Sequence, residues 1–500
     1  MSGLDFLRDI YTRLTAGGST EQQAVQSGIW VAGINVGDRV LQLLKVVILA
    51  RLLSPEAFGL LGIALLTLAA LNQFSRLGFD EALIQYEEEN VDKYLNTAWL
   101  MKIIRGAVLA AVAFVAAPYL AVFFGEAQAE PLIRILGVSP LILGLQNPAV
   151  MYFQKNLNFH REFAYQVGGR VVDFAVATVI AFVFQSVWAL AIGIVAMNLT
   201  KFVLSYAIHE YRPKVEFNLE HGKEMFGFGK WMLASAVLVF LYRQGDDAFV
   251  GWFFAASALG FYQMSYRFSN APATEITQVI SRVAFPTFSK VQNDVERLRD
   301  GYFRAVQLSS VIAFPMAAGI AAVTPQFVKV VLGDQWVPII PLMQVLAISG
   351  GLRAFAANSG SVFKAVGRPD HDVRLQALKT VTIALTIYPA AEYFGVLGVA
   401  FVILGSALIM QPLLIYILLP LVEGEFWELA EYLFYPMFAS LVMALIVSGL
   451  DRYLLSTTGI LELIFLIISG AITYIILMYI IERIVGYEFF QLYHSIRQAI

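Results

Sequence analysis

The chain has 500 residues, 59% of them hydrophobic and 14% charged, with a mean hydropathy of +0.70 and a formal net charge of −3. Soluble domains carry about 25% charged residues, so a single large soluble core is excluded. Cysteine is absent, which removes structural disulfides, thiol catalysis and cysteine-ligated metal, and the five histidines (His160, His209, His221, His371, His494) stand singly.

Residues 1–26 contain acids, glycines and serines, and no apolar run of the kind a signal peptide carries. Leu4, Leu7, Tyr11 and Leu14 recur at helical spacing. That pattern fits either a short amphipathic helix on the cytoplasmic membrane surface or a frayed tail. From there on, apolar blocks of roughly 20 residues alternate with short polar breaks, the length needed to cross about 30 Å of hydrocarbon. Spans are expected at 28–50, 57–78, 97–119, 131–153, 163–184, 187–208, 228–251, 258–280, 303–324, 337–358, 374–393, 397–420, 430–450 and 458–482. Lipid-exposed spans of this type must be helices, which satisfy their own backbone groups, so the fold class is an all-α membrane protein of about fourteen transmembrane helices. Pro140, Pro148, Pro315, Pro389 and Pro412 lie inside spans and are expected to kink them.

Basic residues set the orientation. Alternate loops hold Lys93; Lys155 and Arg161; Arg212, Lys214 and Lys223; Lys290, Arg297 and Arg299; and Lys364 and Arg368. The intervening loops hold Arg51, Lys329 and Arg452. The first set is expected to face the cytoplasm, with both termini on that side. The loop near 421–429, with Glu423, Glu425 and Glu428, carries no basic residue and departs from the trend.

The chain also repeats itself. Ser27-Gly28-Ile29-Trp30 matches Phe228-Gly229-Lys230-Trp231, Ala57-Phe58-Gly59 matches Ala258-Leu259-Gly260, and Pro131-Leu132-Ile133-Arg134-Ile135-Leu136 matches Pro341-Leu342-Met343-Gln344-Val345-Leu346. Gly125 and Gly333 precede the last pair. The near-constant offset predicts two parallel six-helix units, 27–226 and 227–422, followed by two further helices in 423–500. By analogy with transporters, two such halves suggest a cavity that opens alternately to each face.

Charges inside spans point to function, because each costs about 2.5–3.5 kcal/mol at a helix centre unless it faces a cavity or a partner. Span 1 carries Asp38, Arg39 and Lys45; span 5, Arg170 and Asp173; span 7, Arg243, Asp246 and Asp247; span 8, Arg267 and Glu275; spans 10 and 11, Arg353 and Lys379. Arg39, Lys45, Arg243 and Arg267 fall on the first two helices of the two halves and are candidates to line a cavity for an anionic substrate. Arg170 and Arg353 are further candidates. Arg170 with Asp173, three residues apart on one helix face, reads equally as a structural ion pair. Asp38, Asp173, Asp246 and Asp247 are expected either to pair with these cations or to couple transport to an ion. Lys102, Arg105 and Lys201 lie near expected cytoplasmic ends and are expected to snorkel to headgroups. Tyr242, Tyr262 and Tyr266 either pack or stack on sugar faces. No catalytic constellation, metal cluster, cofactor motif or nucleic-acid signal is present in the sequence, and Asp246-Asp247 lacks the soluble domain that nucleotide-sugar chemistry needs.

Leu49-Ala50-Arg51-Leu52-Leu53-Ser54-Pro55-Glu56-Ala57-Phe58-Gly59 resembles the ARLLSPxxFG signature of polysaccharide-transporter flippases in the multidrug/oligosaccharidyl-lipid/polysaccharide exporter superfamily. Ala258-Leu259-Gly260-Phe261-Tyr262 is similar to the family's ALGxY. Leu332-Gly333-Asp334-Gln335-Trp336-Val337-Pro338, followed by Pro341-Leu342, is similar to its LGxxWxPxxPLL. The resemblance implies two six-helix lobes in a pseudo-twofold V with two extra helices. It implies a flippase in the cell membrane that moves a polyprenyl-(di)phosphate-linked oligosaccharide from the cytoplasmic to the outer leaflet. Its partners would be that glycan lipid, the bilayer and, as candidates, a glycan polymerase or glycosyltransferases. A cation-coupled multidrug-type exporter, a polymerase or ligase, and a scaffold for glycan synthesis remain alternatives.

Overall fold

A computed structural model describes residues 20–75, 91–155, 158–216, 237–271, 277–453 and 458–487. The segment 1–19, Trp231 and Glu275 lie outside them, as does most of the 80–96 loop. Every regular element among the described residues is a helix. Among the described residues, nine helices are long and apolar enough to cross a membrane, or ten where the bent pair Ala129–Leu145 with Pro148–Lys155 counts as one span. The protein is therefore a multi-pass, all-α membrane protein. It divides into two compact units: residues 1–240 with 251–257, and residues 241–250 with 258–500.

In the first unit, α1 (Thr20–Leu52) leads through Ser54 into α2 (Pro55–Phe74). Ser54 Oγ accepts the Ala57 amide at 3.3 Å and Pro55 occupies the first turn, the sequence grammar of a helix start. Next come α3 (Val91–Phe123), α4 (Ala129–Gly137), α5 (Ser139–Leu145), α6 (Met151–Lys155), α7 (Phe159–Phe184) and α8 (Trp188–Ile208). The expected fourth span is broken between α5 and α6, with a bend of 73°. Pro148 disfavours helix at the residue before it. Asn147 is buried there; its Oδ1 accepts the Ala149 amide at 3.0 Å and its Nδ2 donates to the Tyr211 carbonyl at 2.7 Å.

Two sets of contacts near helix ends tie this unit together. In one, Glu126 Oε1 accepts the Ala256 amide at 2.8 Å, and Gly59 packs so tightly on the Ala256 carbonyl that a Cβ would overlap it. In the other, Tyr211 Oη donates to Asn96 Oδ1 at 2.7 Å and Asn96 Nδ2 donates to Glu216 at 3.0 Å. His209 lies there too; burial and the nearby Arg161 lower its imidazole pKa.

The second unit contains the greater part of a helix over 237–253, here α9, and of α10 (Ala256–Ser269), then α11 (Thr277–Val291), α12 (Val295–Phe327), α13 (Ile340–Ala365), α14 (Pro369–Leu418), α15 (Phe426–Tyr453) and α16 (Ile460–Val485). The expected span at 258–280 is not one helix: α10 ends near Asn270, ahead of Pro272, and α11 occupies much of what the sequence suggested was span end and loop. Helix α14 is 50 residues long, about 75 Å at 1.5 Å per residue, too long for one crossing. Gly395 breaks it, with φ 62° and ψ −149°, a region only glycine enters readily. The chain reverses there, since Gly398 abuts the Ala390 carbonyl and Phe394 Cβ. The expected spans 374–393 and 397–420 are its two arms. Pro315, Pro389 and Pro412 lie inside continuous helix.

The core of this unit forms around Phe288, Tyr302, Phe303, Phe355 and Phe363. Helix α15 packs on α12 and α16 on α15, where Met443, Val447, Leu466 and Met478 meet and Tyr474 Oη donates to the Val311 carbonyl at 2.9 Å. Ile464, Ile468, Ile472, Ile475 and Ile476 of α16 stay exposed, as a lipid-facing surface requires.

One pair of the matched segments also agrees in burial. Residues 131–140 and 341–350 share the same order of buried, half-buried and exposed positions throughout. Gly125 (φ +69°) and Gly333 (φ +105°), which precede them, both take left-handed backbone conformations.

Candidate functional site

Four charged residues of the first unit, Asp38, Lys45, Arg170 and Asp173, form one cluster. Asp38 and Lys45 are two turns apart on α1, and Arg170 and Asp173 lie on one face of α7. Lys45 Nζ donates to Asp173 Oδ2 at 2.6 Å; Arg170 Nη1 reaches the same oxygen at 3.3 Å, and its Nε donates to Asp38 Oδ1 at 2.6 Å. Two cations face two acids, so the net charge is zero. Asp173 is fully buried and Lys45 is 8% exposed. Helix α8 closes over them: a Cβ on Gly193 would stand 2.7 Å from Asp173 Oδ1. Of the two readings open for Arg170 and Asp173, the geometry displays the ion pair, extended to Lys45 and Asp38.

Two of the cations expected to snorkel, Arg105 and Lys201, have protein partners. Arg105 caps the C-terminus of α2: Nε donates to the Ser75 carbonyl at 3.0 Å and Nη2 to the Asn72 carbonyl at 3.2 Å, where the helix end is electronegative. Lys201 Nζ donates to Gln166 Oε1 at 2.6 Å and lies 5.5 Å from the Tyr165 ring centre. Arg39, Arg243 and Arg267 are exposed on α1, α9 and α10. The acids of α9 turn to α10: Asp246 accepts from Tyr262 Oη at 2.7 Å and Asp247 has Gln263 as its partner.

In the second unit, α9, α11, α13 and both arms of α14 surround a cavity of about 670 Å³. Arg353, Lys364 and Lys379 line it against a single acid, Asp372, an excess of two positive charges. Arg353 is fixed from behind: Nη1 donates to Tyr266 Oη, Nη2 donates to Asn270 Oδ1, and the guanidinium carbon sits 5.0 Å from the Tyr266 ring centre. Lys379 Nζ lies 5.7 Å from the Tyr242 ring centre. Gln411 Nε2 is spent on the Leu352 carbonyl at 2.8 Å, while its Oε1, on the cavity wall, has no partner. Such a volume suits a small-molecule headgroup. Cations held by hydrogen bonds and aromatic faces suit an anion that also carries ring surfaces.

Of the candidates read from sequence, Arg353 alone lines this cavity, together with Lys379 and Tyr242, which the sequence also singled out. Lys364, Asp372, Gln376 and Gln411 were missed as site residues. Their signal was present in helical spacing: Arg353, Gly360 and Lys364 recur on one face of α13, and Asp372, Gln376 and Lys379 on one face of α14. The motifs cooperate structurally as well. Phe261, from the ALGFY stretch, packs edge-on against the fully buried Trp336 of the LGDQWVP stretch, with ring centres 6.0 Å apart.

Comparison with known proteins follows the same lines. A family model described as "Polysaccharide biosynthesis protein" matches residues 48–341. The chain is 28% identical over 328 residues to the teichuronic acid biosynthesis protein TuaB of Bacillus subtilis (strain 168), covering 65% of this chain and 68% of that one. It is 25% identical over 466 residues to the succinoglycan biosynthesis transport protein ExoT of Rhizobium meliloti (strain 1021), covering 91% and 92%. Among solved structures, the lipid II flippase MurJ in an inward closed conformation superposes with a TM-score of 0.73 at 13% identity, covering 91% of this chain and 99% of that one, which establishes a shared fold.

Proposed function

This chain belongs to the polysaccharide biosynthesis protein family, and from that premise we propose that it is a flippase for lipid-linked glycans. It carries a polyprenyl-phosphate- or diphosphate-linked oligosaccharide from the cytoplasmic to the outer leaflet by alternating access. The observation that carries this reading is the basic cavity inside a membrane-embedded unit, where Arg353 and Lys379 are held beside aromatic rings. A phosphate-bearing headgroup meets an excess of positive charge there, and sugar faces meet Tyr242. The reading also draws on relatives named for glycan biosynthesis and transport.

The protein's work is binding and release, with no catalytic step. Both termini face the cytoplasm, as the basic loops direct. The cavity's Lys364 and Asp372 then lie at the cytoplasmic ends of α13 and α14, where the substrate is loaded. Glycosyltransferases act before it and a polymerase after it. A cation-coupled exporter would need a carboxylate ready to exchange an ion. Asp38 and Asp173 are instead engaged by Arg170 and Lys45, and Asp246 by Tyr262.

The test is the sidedness of the glycan lipid in cells lacking the protein. Accumulation on the cytoplasmic leaflet, protected from a glycosidase added outside, is expected. Normal arrival at the outer leaflet without polymerisation would move the function downstream and refute the proposal.

A further inference from the structure

The break between α5 and α6 encloses a second cavity in the first unit, of about 210 Å³. Lys102 of α3, Gln146 at the break, Gln154 of α6, and Glu162, Tyr165 and Gln166 of α7 line it. Much of their bonding capacity is already used. Tyr165 Oη donates to Gln146 Oε1, Gln154 Nε2 to Glu162 Oε1, and Lys201 Nζ to Gln166 Oε1, each at 2.6 Å. Two buried atoms are left over: Gln146 Nε2, a donor, and Glu162 Oε2, an acceptor, on a side chain whose residue is only 8% exposed. Buried polar groups in native proteins find partners, so a pair of this kind calls for an occupant.

The two atoms define the occupant's chemistry. It must accept a hydrogen bond from Gln146 and donate one to Glu162. A metal ion would satisfy the carboxylate and leave the amide unpaired. An inorganic anion could meet Lys102 and the amide but has no proton to donate, so it would leave Glu162 Oε2 unpaired and face its charge. Hydroxyl groups do both, since each donates once and accepts twice. At about 30 Å³ per water the cavity corresponds to about seven waters, room for a single sugar ring and too little for an oligosaccharide. Phe153 and Tyr165 give it aromatic wall, the surface that the apolar face of a pyranose covers.

We propose that this cavity is a sugar subsite, which takes one neutral pyranose ring through hydroxyls bonded to Gln146 Nε2 and Glu162 Oε2. The proposal rests on the flippase reading and adds to it a place where the glycan, as distinct from its phosphate, is recognised. The site adjoins Lys155 and Arg161, in the loop expected to face the cytoplasm, the side from which a glycan lipid is loaded.

The experiment uses the full-length protein in lipid nanodiscs and two probes: the lipid-linked glycan isolated from cells lacking this protein, and the same lipid after enzymatic removal of its glycan. Affinities are measured for the wild type, Gln146→Leu and Val150→Phe. The last fills the cavity from its apolar wall without altering the polar pair, and it serves if Gln146→Leu does not fold. The expected result is that the intact glycan lipid binds about tenfold more weakly to either folded variant, the loss of one buried hydrogen bond, while the stripped lipid binds as before. Equal weakening of both probes, or no change in either, as a water-filled cavity would give, overturns the subsite and leaves the flippase reading standing. A wild-type protein that binds neither probe removes both.

Discussion

Asp173 takes Lys45 at 2.6 Å and Arg170 at 3.3 Å on one oxygen, and no part of its side chain reaches the surface. Removing one member of such a group strands a buried charge, which costs about 3–5 kcal/mol, whereas removing a pair together costs far less. Asp173→Ala should therefore lower the thermal midpoint of the purified protein sharply. The double variant Lys45→Met with Asp173→Leu should recover much of the loss, because Arg170 keeps Asp38. A single Asp173→Ala that melts like the wild type but loses pH-dependent transport would point to ion coupling instead. At the same scale, Arg353 and Lys379 are the pair on which substrate affinity should depend. Arg353→Gln with Lys379→Gln should cut export of the glycan lipid at least about tenfold, at unchanged membrane abundance. Unchanged export would remove the basic cavity from the transport path.

Helices in this protein end where a particular residue forbids them to continue. Pro148 with the Asn147 cap breaks the fourth span, and Gly395 turns α14 back on itself. Gly395→Ala places a side chain at φ 62° and ψ −149°, which costs about 1–3 kcal/mol. Gly405→Ala, in the same helix with open space around its Cα, should instead leave stability unchanged or raise it slightly. Thermal unfolding of the two variants, compared side by side, checks the assignment; equal behaviour would mean the reversal at Gly395 is not imposed by its backbone. The small residues at helix contacts have a related role. Gly106 lies against the Pro140 carbonyl and Gly144 against that of Lys102, so α3 and α5 approach more closely than any side chain would permit.

For the molecule as a whole, the absence of cysteine makes orientation directly measurable. Asn293→Cys, in a loop expected inside, should react with a membrane-impermeant maleimide only after the cells are opened. Ala127→Cys, exposed in a loop expected outside, should react in intact cells. The opposite pattern would invert the protein and place the basic cavity's Lys364 end on the outer face, against the direction of export. The two parallel copies expected from the repeat are the other whole-chain feature, and 131–140 and 341–350 share one order of buried, half-buried and exposed positions.

The sequence by itself determined the membrane setting, the all-helical class and the two arms of α14. Each follows from hydrophobic length, from the need to satisfy backbone groups in lipid, or from glycine and proline, all of which are local properties. It also identified the charges worth explaining. Which charges meet was decided by tertiary structure alone. Lys45 and Arg39 stand on the same helix, six residues apart, yet one is sealed against Asp173 and the other is exposed. Nothing within α1 separates them; the presence of α7 and α8 on one side does. In the same way Arg353 became a site residue because Tyr266 and Asn270, more than 80 positions earlier in the chain, fix its guanidinium at the cavity wall. Helical spacing places a side chain on a face, but the partner that face receives depends on how distant helices pack.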